Sequence, residues 1–156
     1  MHFIRYDLKY QEEMLALHRS AIEGFALGMT HQQDEADLMA IDEVYLRNNG
    51  EFLLGLLDER MIAMGGFKRL SKDSAELRRM RIALDLQGRG YGTLLLHELE
   101  RRAYQSGVRK LCLDTAQRRS LTLEFYRKHG YQEIGSSFYG AVETVQFAKH
   151  LSENSL

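Results

Sequence analysis

Apolar residues recur along the chain with two spacings, one typical of helices and one typical of strands. Helical spacing predicts helices over residues 10–25 and 34–47, a third that stops at Gly107 and a fourth that ends at Gly130. Strand-like runs occupy residues 2–8, 51–57, 61–70, 74–82, 109–115, 131–139 and 143–150. Short polar links join the second, third and fourth runs and favour an antiparallel meander. The order of elements predicts a mixed α/β sheet.

Two of the predicted helices have a clear apolar face. The first helix is expected to bury Met14, Leu17, Ala21, Ile22 and Phe25. The helix that stops at Gly107 is expected to bury Tyr91, Leu94, Leu95, Leu99 and Ala103. With 156 residues, 44% of them hydrophobic, the chain suffices for one domain over residues 1–156 with a sizeable core.

The most informative motif stands between a predicted strand and the helix that stops at Gly107. It reads Gln87, Gly88, Arg89, Gly90, Tyr91, Gly92. Glycines let backbone N–H groups approach a ligand closely, and the following helix N-terminus adds unpaired donors and a positive dipole end. The motif therefore predicts a binding site for phosphate groups.

Two common phosphate motifs and one metal motif do not fit. A dinucleotide fingerprint needs a glycine at the sixth position from Gly88, where Thr93 stands, and no Gly-Lys-Ser/Thr of a P-loop occurs. His97-Glu98 begins like a metalloprotease helix, but Arg101 replaces the second histidine. We therefore expect no metal site.

Charge is unevenly distributed although the net charge is only −1. Residues 1–65 contain 5 Lys or Arg and 12 Asp or Glu, whereas residues 78–128 contain 12 and 5. The small net charge gives no reason to expect nucleic acid or an anionic membrane as a partner. The distribution reflects either solvated surface charge or a basic region for an anionic cofactor and an acidic region for a cationic substrate.

The single cysteine and the short apolar runs indicate in which cellular compartment the protein is expected. Cys112 cannot form an internal disulfide, and we expect it to be a small buried hydrophobic residue. No apolar run approaches the roughly 20 residues of a membrane span, and the N-terminus lacks a secretory pattern. We expect a cytoplasmic protein.

Three segments together resemble the GNAT acetyltransferase superfamily. They are Met80-Arg81-Ile82 on a strand, Gln87-x-x-Gly90-x-Gly92 opening a helix, and the segment from Phe125 to Tyr131 with the sequence FYRKHGY. The resemblance implies a GNAT-like fold, with a mostly antiparallel sheet, flanking helices and strands splayed around an acyl-CoA site. It covers residues 50–150, whereas the N-terminal part matches in layout only.

The resemblance implies acetyl-CoA as the co-substrate. Its pyrophosphate would lie on the backbone amides of Gly88, Arg89, Gly90, Tyr91, Gly92 and Thr93. The backbone of Met80, Arg81 and Ile82 would pair with the pantetheine amides. Gln87 is part of the motif, Arg89 either contacts phosphate or is solvated, and Tyr91 also fits as the first core residue of its helix. Arg119 stands where many relatives have Asn, so it either reaches a CoA phosphate or lies on the surface.

Two residues are the candidates for catalysis. A lysine-like ammonium is only about one part in 2,500 neutral at pH 7, so a base helps, and Glu76 matches the catalytic glutamate of histone-acetylating relatives. Alternatively, Glu76 is an exposed strand carboxylate or an ion-pair partner of Arg78 or Arg79. Tyr126 matches the tyrosine that donates to the departing sulfur. Its alternative role is as a packed helix residue, although Phe125 is the better placed core residue.

These inferences predict an N-acetyltransferase that acts on a primary amine of a small molecule or peptide by direct attack in a ternary complex. The alternative is a catalytically silent acyl-CoA-binding module. Acidic residues favour a cationic acceptor; they are Asp34, Glu35, Asp37, Asp42 and Glu43. The last strands are a plausible homodimer interface.

Overall fold

Seven strands form one sheet in the order β1-β2-β3-β4-β5-β7-β6 in a computed structural model that describes residues 1–23, 35–116 and 120–155. The strands are β1 His2–Arg5, β2 Glu51–Leu57, β3 Arg60–Arg69, β4 Ser74–Ile82, β5 Lys110–Ala116, β6 Gln132–Tyr139 and β7 Val142–His150. The main helices are α1 Gln11–Glu23, α2 Tyr91–Gln105 and α3 Ser120–Lys128. Neighbouring strands are antiparallel except β4 and β5, so the predicted mixed, mostly antiparallel sheet with flanking helices is confirmed.

Two predicted elements differ from the structure. β1 ends at Arg5 because the Asp7 carboxylate accepts a hydrogen bond from the backbone N–H of Lys9 and caps a 3₁₀ turn over Leu8–Tyr10. The helix predicted over 34–47 is a 3₁₀ turn, Leu38–Ala40, followed by a π-helical turn, Asp42–Leu46. Asp37 does not cap this segment, because its carboxylate binds Tyr45 and Arg79 instead. Asp34 lies outside the described residues.

Both faces of the sheet are covered by other parts of the chain, and two neighbouring glycines of β3 show what covers each face. A Cβ built on Gly65 would lie 3.3 Å from Leu95 and 3.4 Å from Leu99, both on α2. A Cβ built on the next residue, Gly66, would lie 2.6 Å from the ring of Phe52, which packs against Tyr45 with ring centroids 5.1 Å apart. We call these the α2 face and the Tyr45 face. The second carries residues 35–46.

Most of the predicted core faces are confirmed. Met14, Leu17 and Ala21 of α1 are buried and Ile22 is half-buried, while Phe25 lies outside the described residues. In α2, the buried residues are Leu95, Leu96, Leu99, Glu100 and Ala103. Leu94 was predicted to be buried and is 51% exposed, because the buried stripe runs through Leu96 and Glu100 instead.

Glu100 explains the direction of that stripe. Its buried carboxylate accepts hydrogen bonds of 2.9 and 3.0 Å from the Lys149 ammonium and 2.9 Å from the Tyr131 hydroxyl. Burial, and then the charge of Glu100, raises the pKa of Tyr131 well above its ordinary value. These contacts bind α2 to β7 and to Tyr131, the residue that precedes β6. Within the described ranges, no helix is long and apolar enough to cross a membrane.

Candidate active site

A wedge opens between the two central parallel strands. β4 and β5 pair at only three positions, Ser74 with Lys110, Ala75 with Leu111 and Glu76 with Cys112. β4 then continues to Ile82 and β5 to Ala116 without pairing to each other. The second half of β4 therefore keeps one edge open toward the wedge, as the resemblance led us to expect.

A β-bulge in β4 changes which of its side chains lie on the α2 face of the sheet beside the wedge. The register with β3 passes from Arg78 opposite Gly66 to Arg81 opposite Met64, so β4 contains one additional residue there. Arg79, at the bulge, has a left-handed φ of 59°. Because the alternation is reset, Met80 turns to the α2 face, where its Cγ is 3.1 Å from a Cβ built on Gly65.

The same reset places arginines on the Tyr45 face. Arg78 is paired with Gly66, and Arg81 with Met64, the even-numbered β3 residues that belong to this face. Arg79 also reaches this face, because its side chain binds Asp37 in the segment 35–46. Glu76 precedes Arg78 by two residues and shares its face.

Arg79 holds the bulge through a bidentate ion pair. Its Nε is 3.0 Å from Asp37 Oδ2 and its Nη2 is 2.6 Å from Asp37 Oδ1, and each side chain is only 10% exposed. The Tyr45 hydroxyl also donates to Asp37. Burial by itself would raise the pKa of Asp37, but the hydrogen bonds from Arg79 and Tyr45 outweigh burial and hold the pKa below its ordinary value. Burial, and then the charge of Asp37, raises the pKa of Tyr45 far above its usual range.

Backbone carbonyls on the open edge of β4 already interact with side chains. Ala83 N–H donates to Ile62 of β3, so the Ile82 carbonyl, one residue earlier, points away from β3. The Gln87 amide donates to this carbonyl at 3.1 Å, and Arg81 Nη1 donates to the Met80 carbonyl at 2.9 Å. Gln87 and Arg81, both predicted to bind the cofactor, thus cap the edge that pantetheine would use.

The glycine motif forms an exposed loop that leads into α2. Gly88 and Gly90 have φ values of 74° and 88°, and a Cβ on either would meet nothing within 4 Å. Gly90 is the N-cap and has no side chain to cap the helix, so in the described part of the chain the amides of Tyr91, Gly92 and Thr93 donate no hydrogen bond. These amides are free to bind an anion.

Charged and polar contacts fix this loop at both ends. Asp85, just before the motif, makes a bidentate ion pair with Arg60 at 2.8 and 2.9 Å. The Thr93 hydroxyl lies 3.1 Å from His129 Nε2, and His129 Nδ1 lies 2.7 Å from the Phe125 carbonyl. Because a carbonyl only accepts, Nδ1 is the donor to the Phe125 carbonyl, and Nε2 is the ring nitrogen that contacts the Thr93 hydroxyl. The side chain of Arg89 is exposed and makes no ion pair with any described residue.

Tyr126 reaches from α3 toward the wedge. Its side chain is 7% exposed, its ring packs against Tyr131 and Phe147, and its hydroxyl donates to Met80 Sδ at 3.7 Å. The expectation that Phe125 is the more buried residue of this pair was wrong. Phe125 is half-buried and lies under the glycine loop, with its ring 3.6 Å from a Cβ built on Gly92.

Glu76 stands at the vertex of the wedge, in the last residue pair between β4 and β5. Its half-buried carboxylate makes no hydrogen bond or ion pair with Arg78, Arg79 or any other described residue. Ala75 and Leu77 point to the opposite face, where Tyr126 packs against Phe147, so the two candidate catalytic groups approach the wedge from opposite sides of the sheet.

The remaining predicted residues are placed as follows. Ile82 and Tyr91 are half-buried beside the loop and pack against the core. Arg119 lies outside the described residues. Cys112 is half-buried, and burial, followed by the charge of Glu76, raises the pKa of its thiol, in keeping with an unreactive residue. In residues 1–23, 35–116 and 120–155, no cluster of His, Cys, Asp or Glu could hold a metal ion.

Several acidic residues of the N-terminal third are already paired. Glu35 binds Arg19 at 2.8 Å, and Asp37 binds Arg79. Arg47 binds Asp42 at 3.0 Å and Glu43 at 3.6 Å. The Arg79–Asp37 pair joins residues 42 positions apart in the sequence, so no local signal could have predicted it.

Comparison with known proteins agrees with this geometry. The family model described as "Acetyltransferase (GNAT) family" matches residues 11–131. A search of curated proteins found no match. A solved GNAT-family acetyltransferase from Staphylococcus aureus Mu50 is 21% identical, with 97% of this chain and 99% of that chain covered and a TM-score of 0.86.

Two further solved structures share the fold. An acetyltransferase from Streptococcus agalactiae 2603 is 17% identical, with 96% and 98% of the two chains covered and a TM-score of 0.86. A ribosomal-protein-alanine N-acetyltransferase from Brucella melitensis is 17% identical, with 97% and 100% covered and a TM-score of 0.76. With a wedge, a glycine loop and a family model that spans most of the sequence, the chain belongs to the GNAT acetyltransferase family.

Proposed function

We propose that the protein is an N-acetyltransferase that uses acetyl-CoA to acetylate a primary amine by direct attack in a ternary complex. One observation carries the proposal: the wedge between β4 and β5 opens beside free loop amides, and Tyr126 and Glu76 reach it from opposite faces. Family membership supports acetyl transfer in general. The wedge geometry supports the finer assignment of donor and attacking group.

The residues present suit acetyl-CoA. The amides of residues 88–93 and the N-terminus of α2 would hold the pyrophosphate, and a side chain at Gly88 or Gly90 would narrow that cradle. Arg89 would add charge, and the open edge of β4 from Met80 to Ile82 would pair with the pantetheine amides. When bound, acetyl-CoA supplies an activated acetyl thioester. Arg119 remains a proposed phosphate contact.

Glu76 is proposed as the general base. An attacking amine has to lose a proton as the N–C bond forms, and the Glu76 carboxylate, which makes no hydrogen bond or ion pair with a described residue, is available to accept it. It is also at the vertex, where β4 and β5 are still paired, so its backbone position is fixed. The proton passes to the carboxylate directly or through one water molecule.

Tyr126 is proposed to stabilise the departing sulfur. Its hydroxyl donates to a sulfur atom, that of Met80 on the α2 face of β4, and this contact supports a position beside the wedge. Full proton transfer from a phenol to a thiolate is uphill by about 2 kcal/mol from their ordinary pKa values. The role is therefore hydrogen-bond donation as the C–S bond breaks.

The test follows thiol release from acetyl-CoA with a panel of amines. The panel contains amino acids, polyamines, aminoglycoside-like amines and peptides with a free N-terminus, the last because the name of the Brucella melitensis structure specifies a ribosomal-protein alanine. Amine-dependent release, with an acetylated amine found by mass spectrometry, is the expected result. Binding of acetyl-CoA without release by any amine would instead support the silent acyl-CoA-binding module.

Tyr126→Phe separates chemistry from binding. We expect it to lower kcat by about 10- to 100-fold, as for one lost hydrogen bond to a developing charge, with an unchanged Kd for CoA. Phe125→Leu is the matched control on the neighbouring residue, whose ring lies under the loop and carries no hydroxyl to donate. An unchanged kcat in Tyr126→Phe would remove Tyr126 from the mechanism.

A further inference from the structure

We propose that the acceptor amine carries an anionic group, a carboxylate or a phosphate, and that Arg78 on the Tyr45 face binds it. This inference rests on the proposed function, because it concerns the acceptor of that reaction. It differs from the cationic acceptor that the acidic N-terminal sequence favoured. The reason lies in how the bulge in β4 distributes charge over the face that carries Glu76.

The bulge concentrates arginines on the face of the candidate base. In a regular strand, Arg78, Arg79 and Arg81 would not share one face, because consecutive side chains alternate. Here the additional residue at Arg79 brings all three to the Tyr45 face and gives the α2 face to Met80 and Ile82. Donor-binding groups and the arginines are therefore on opposite sides of β4.

The charges on the Tyr45 face do not cancel in the described part of the chain. Arg79 is paired with Asp37, whose pKa the nearby charge of Arg78 also helps to lower, Arg19 is paired with Glu35, and Arg47 alone is paired with both Asp42 and Glu43. Within residues 1–23, 35–116 and 120–155, Arg78 makes no hydrogen bond or ion pair. Lys68, opposite Glu76 in the register, makes none either. The excess charge beside the base is positive.

The spacing suits one molecule that has both an amine and an anion. Glu76 and Arg78 are two residues apart on one face, which separates their Cα atoms by about 7 Å along the strand. An amine beside Glu76 can therefore place an attached anionic group within reach of the Arg78 guanidinium. Arg78 is half-buried and is paired in the register with Gly66, over which the ring of Phe52 lies. A guanidinium binds carboxylate or phosphate through paired hydrogen bonds, which partial burial strengthens.

The first experiment compares acceptors that differ only in the anionic group. Amino acids are compared with their carboxamides and their decarboxylated amines, and phosphoethanolamine is compared with ethanolamine. Spermidine represents cationic acceptors. We expect the anionic member of at least one series to have a kcat/KM about 10- to 100-fold above its neutral counterpart, as for a charge-assisted hydrogen bond. The series that shows it identifies carboxylate or phosphate.

Variants of Arg78 connect the preference to this residue. Arg78→Ala should reduce the preference to less than threefold, mainly by raising KM for the anionic acceptor, and Arg78→Lys should retain part of it. Arg101→Ala is the matched control, because Arg101 is an exposed arginine on α2. Unfolding curves of all variants exclude a loss of folded protein as the cause.

The outcomes distinguish the inference from the proposed function. Acetyl transfer with a preference for spermidine or for carboxamides would overturn the anionic acceptor and leave the acetyltransferase intact. If no amine supports turnover, calorimetry with protein saturated with CoA provides the test. Tighter binding of phosphoethanolamine or an amino acid to wild type than to Arg78→Ala supports the site, and equal binding or none overturns it.

Discussion

The bulge in β4 can be tested by replacing Arg79 with glycine and with alanine. Both substitutions remove the ion pair to Asp37, whose two hydrogen bonds measure 2.6 and 3.0 Å between side chains that are 10% exposed. They differ in backbone preference at a φ of 59°. Glycine adopts this left-handed conformation freely, whereas alanine does not. The pair of variants therefore separates the ion pair from the backbone strain.

The expected free energies follow from the two contributions. Removing one partner of a buried ion pair costs about 3–5 kcal/mol, and the remaining hydrogen bond from Tyr45 to Asp37 favours the lower end, about 3 kcal/mol. The left-handed conformation costs alanine about 1–2 kcal/mol more than glycine. The greater chain entropy of glycine in the unfolded state offsets about 0.4–1 kcal/mol of that difference. From the midpoints of these two ranges, Arg79→Gly should therefore be about 0.8 kcal/mol more stable than Arg79→Ala.

Urea unfolding gives the free energies, and acetyl transfer reports on the wedge. We expect the order of stability wild type, then Arg79→Gly, then Arg79→Ala. The rate of transfer should follow the same order, because the bulge sets the direction of Met80 and of the open edge. If Arg79→Ala is as stable as Arg79→Gly, the left-handed backbone is not required at this position and the reasoning fails. A wild-type-like stability of both variants would show that the ion pair contributes nothing.

Three other predictions concern pH, the loop and the sheet edge. The folded-state pKa of Asp37 is below its ordinary value of 3.8, so its contribution to stability is complete above that value and is lost as pH falls through the folded-state pKa. Between pH 7 and pH 2, Asp37→Asn should therefore lose less of its free energy of unfolding in urea than the wild type, and parallel pH curves would contradict this. Gly90→Ala should destabilise the loop by about 1 kcal/mol and weaken CoA binding, whereas Gly92→Ala, whose Cβ meets only ordinary contacts at 3.6 Å, should not, as calorimetry with CoA can show. Ile134 and Phe138 are 57% and 69% exposed on the edge strand β6, so the proposed homodimer should dissociate in Phe138→Glu by analytical ultracentrifugation; a wild-type monomer would exclude it.

Local sequence signals predicted the elements well where the spacing of apolar residues agreed with the residues that end helices and strands, such as glycine. The ranges of β2 and β4 were predicted as observed, and Gly107 and Gly130 follow the helices α2 and α3 with positive φ values of 95° and 85°. The glycine motif also predicted an open loop before a helix, and Gly88 and Gly90 do adopt positive φ there. These features depend on a few consecutive residues, which is why they can be read from the sequence.

The prediction was poorest where long-range contacts compete with local preference. The segment before β2 was expected to be a regular helix, but Asp37 binds Arg79 rather than capping it. Similarly, periodicity favoured Leu94 over Leu96, because it could not include the buried Glu100 and its partners on other elements. Phe125 was likewise favoured over Tyr126, because periodicity could not include the contacts of Tyr126 with Phe147 and Met80 on other elements.

The sequence by itself determined the order of strands and helices, the glycine loop before α2 and, through resemblance, the family. Only the tertiary structure decided that β4 and β5 separate after Glu76, and that one additional residue at Arg79 exchanges the faces of Met80 and Arg81. Side chains along a strand alternate between its two faces, and one additional residue exchanges the faces of all the residues after it. The sequence alone does not show where such a residue is inserted, so it does not say which face a later residue takes. The pairing of β4 with β3 and the ion pair between Arg79 and Asp37 determine the faces that these residues take. The arginines of β4 therefore lie on the same face as the candidate base, Glu76.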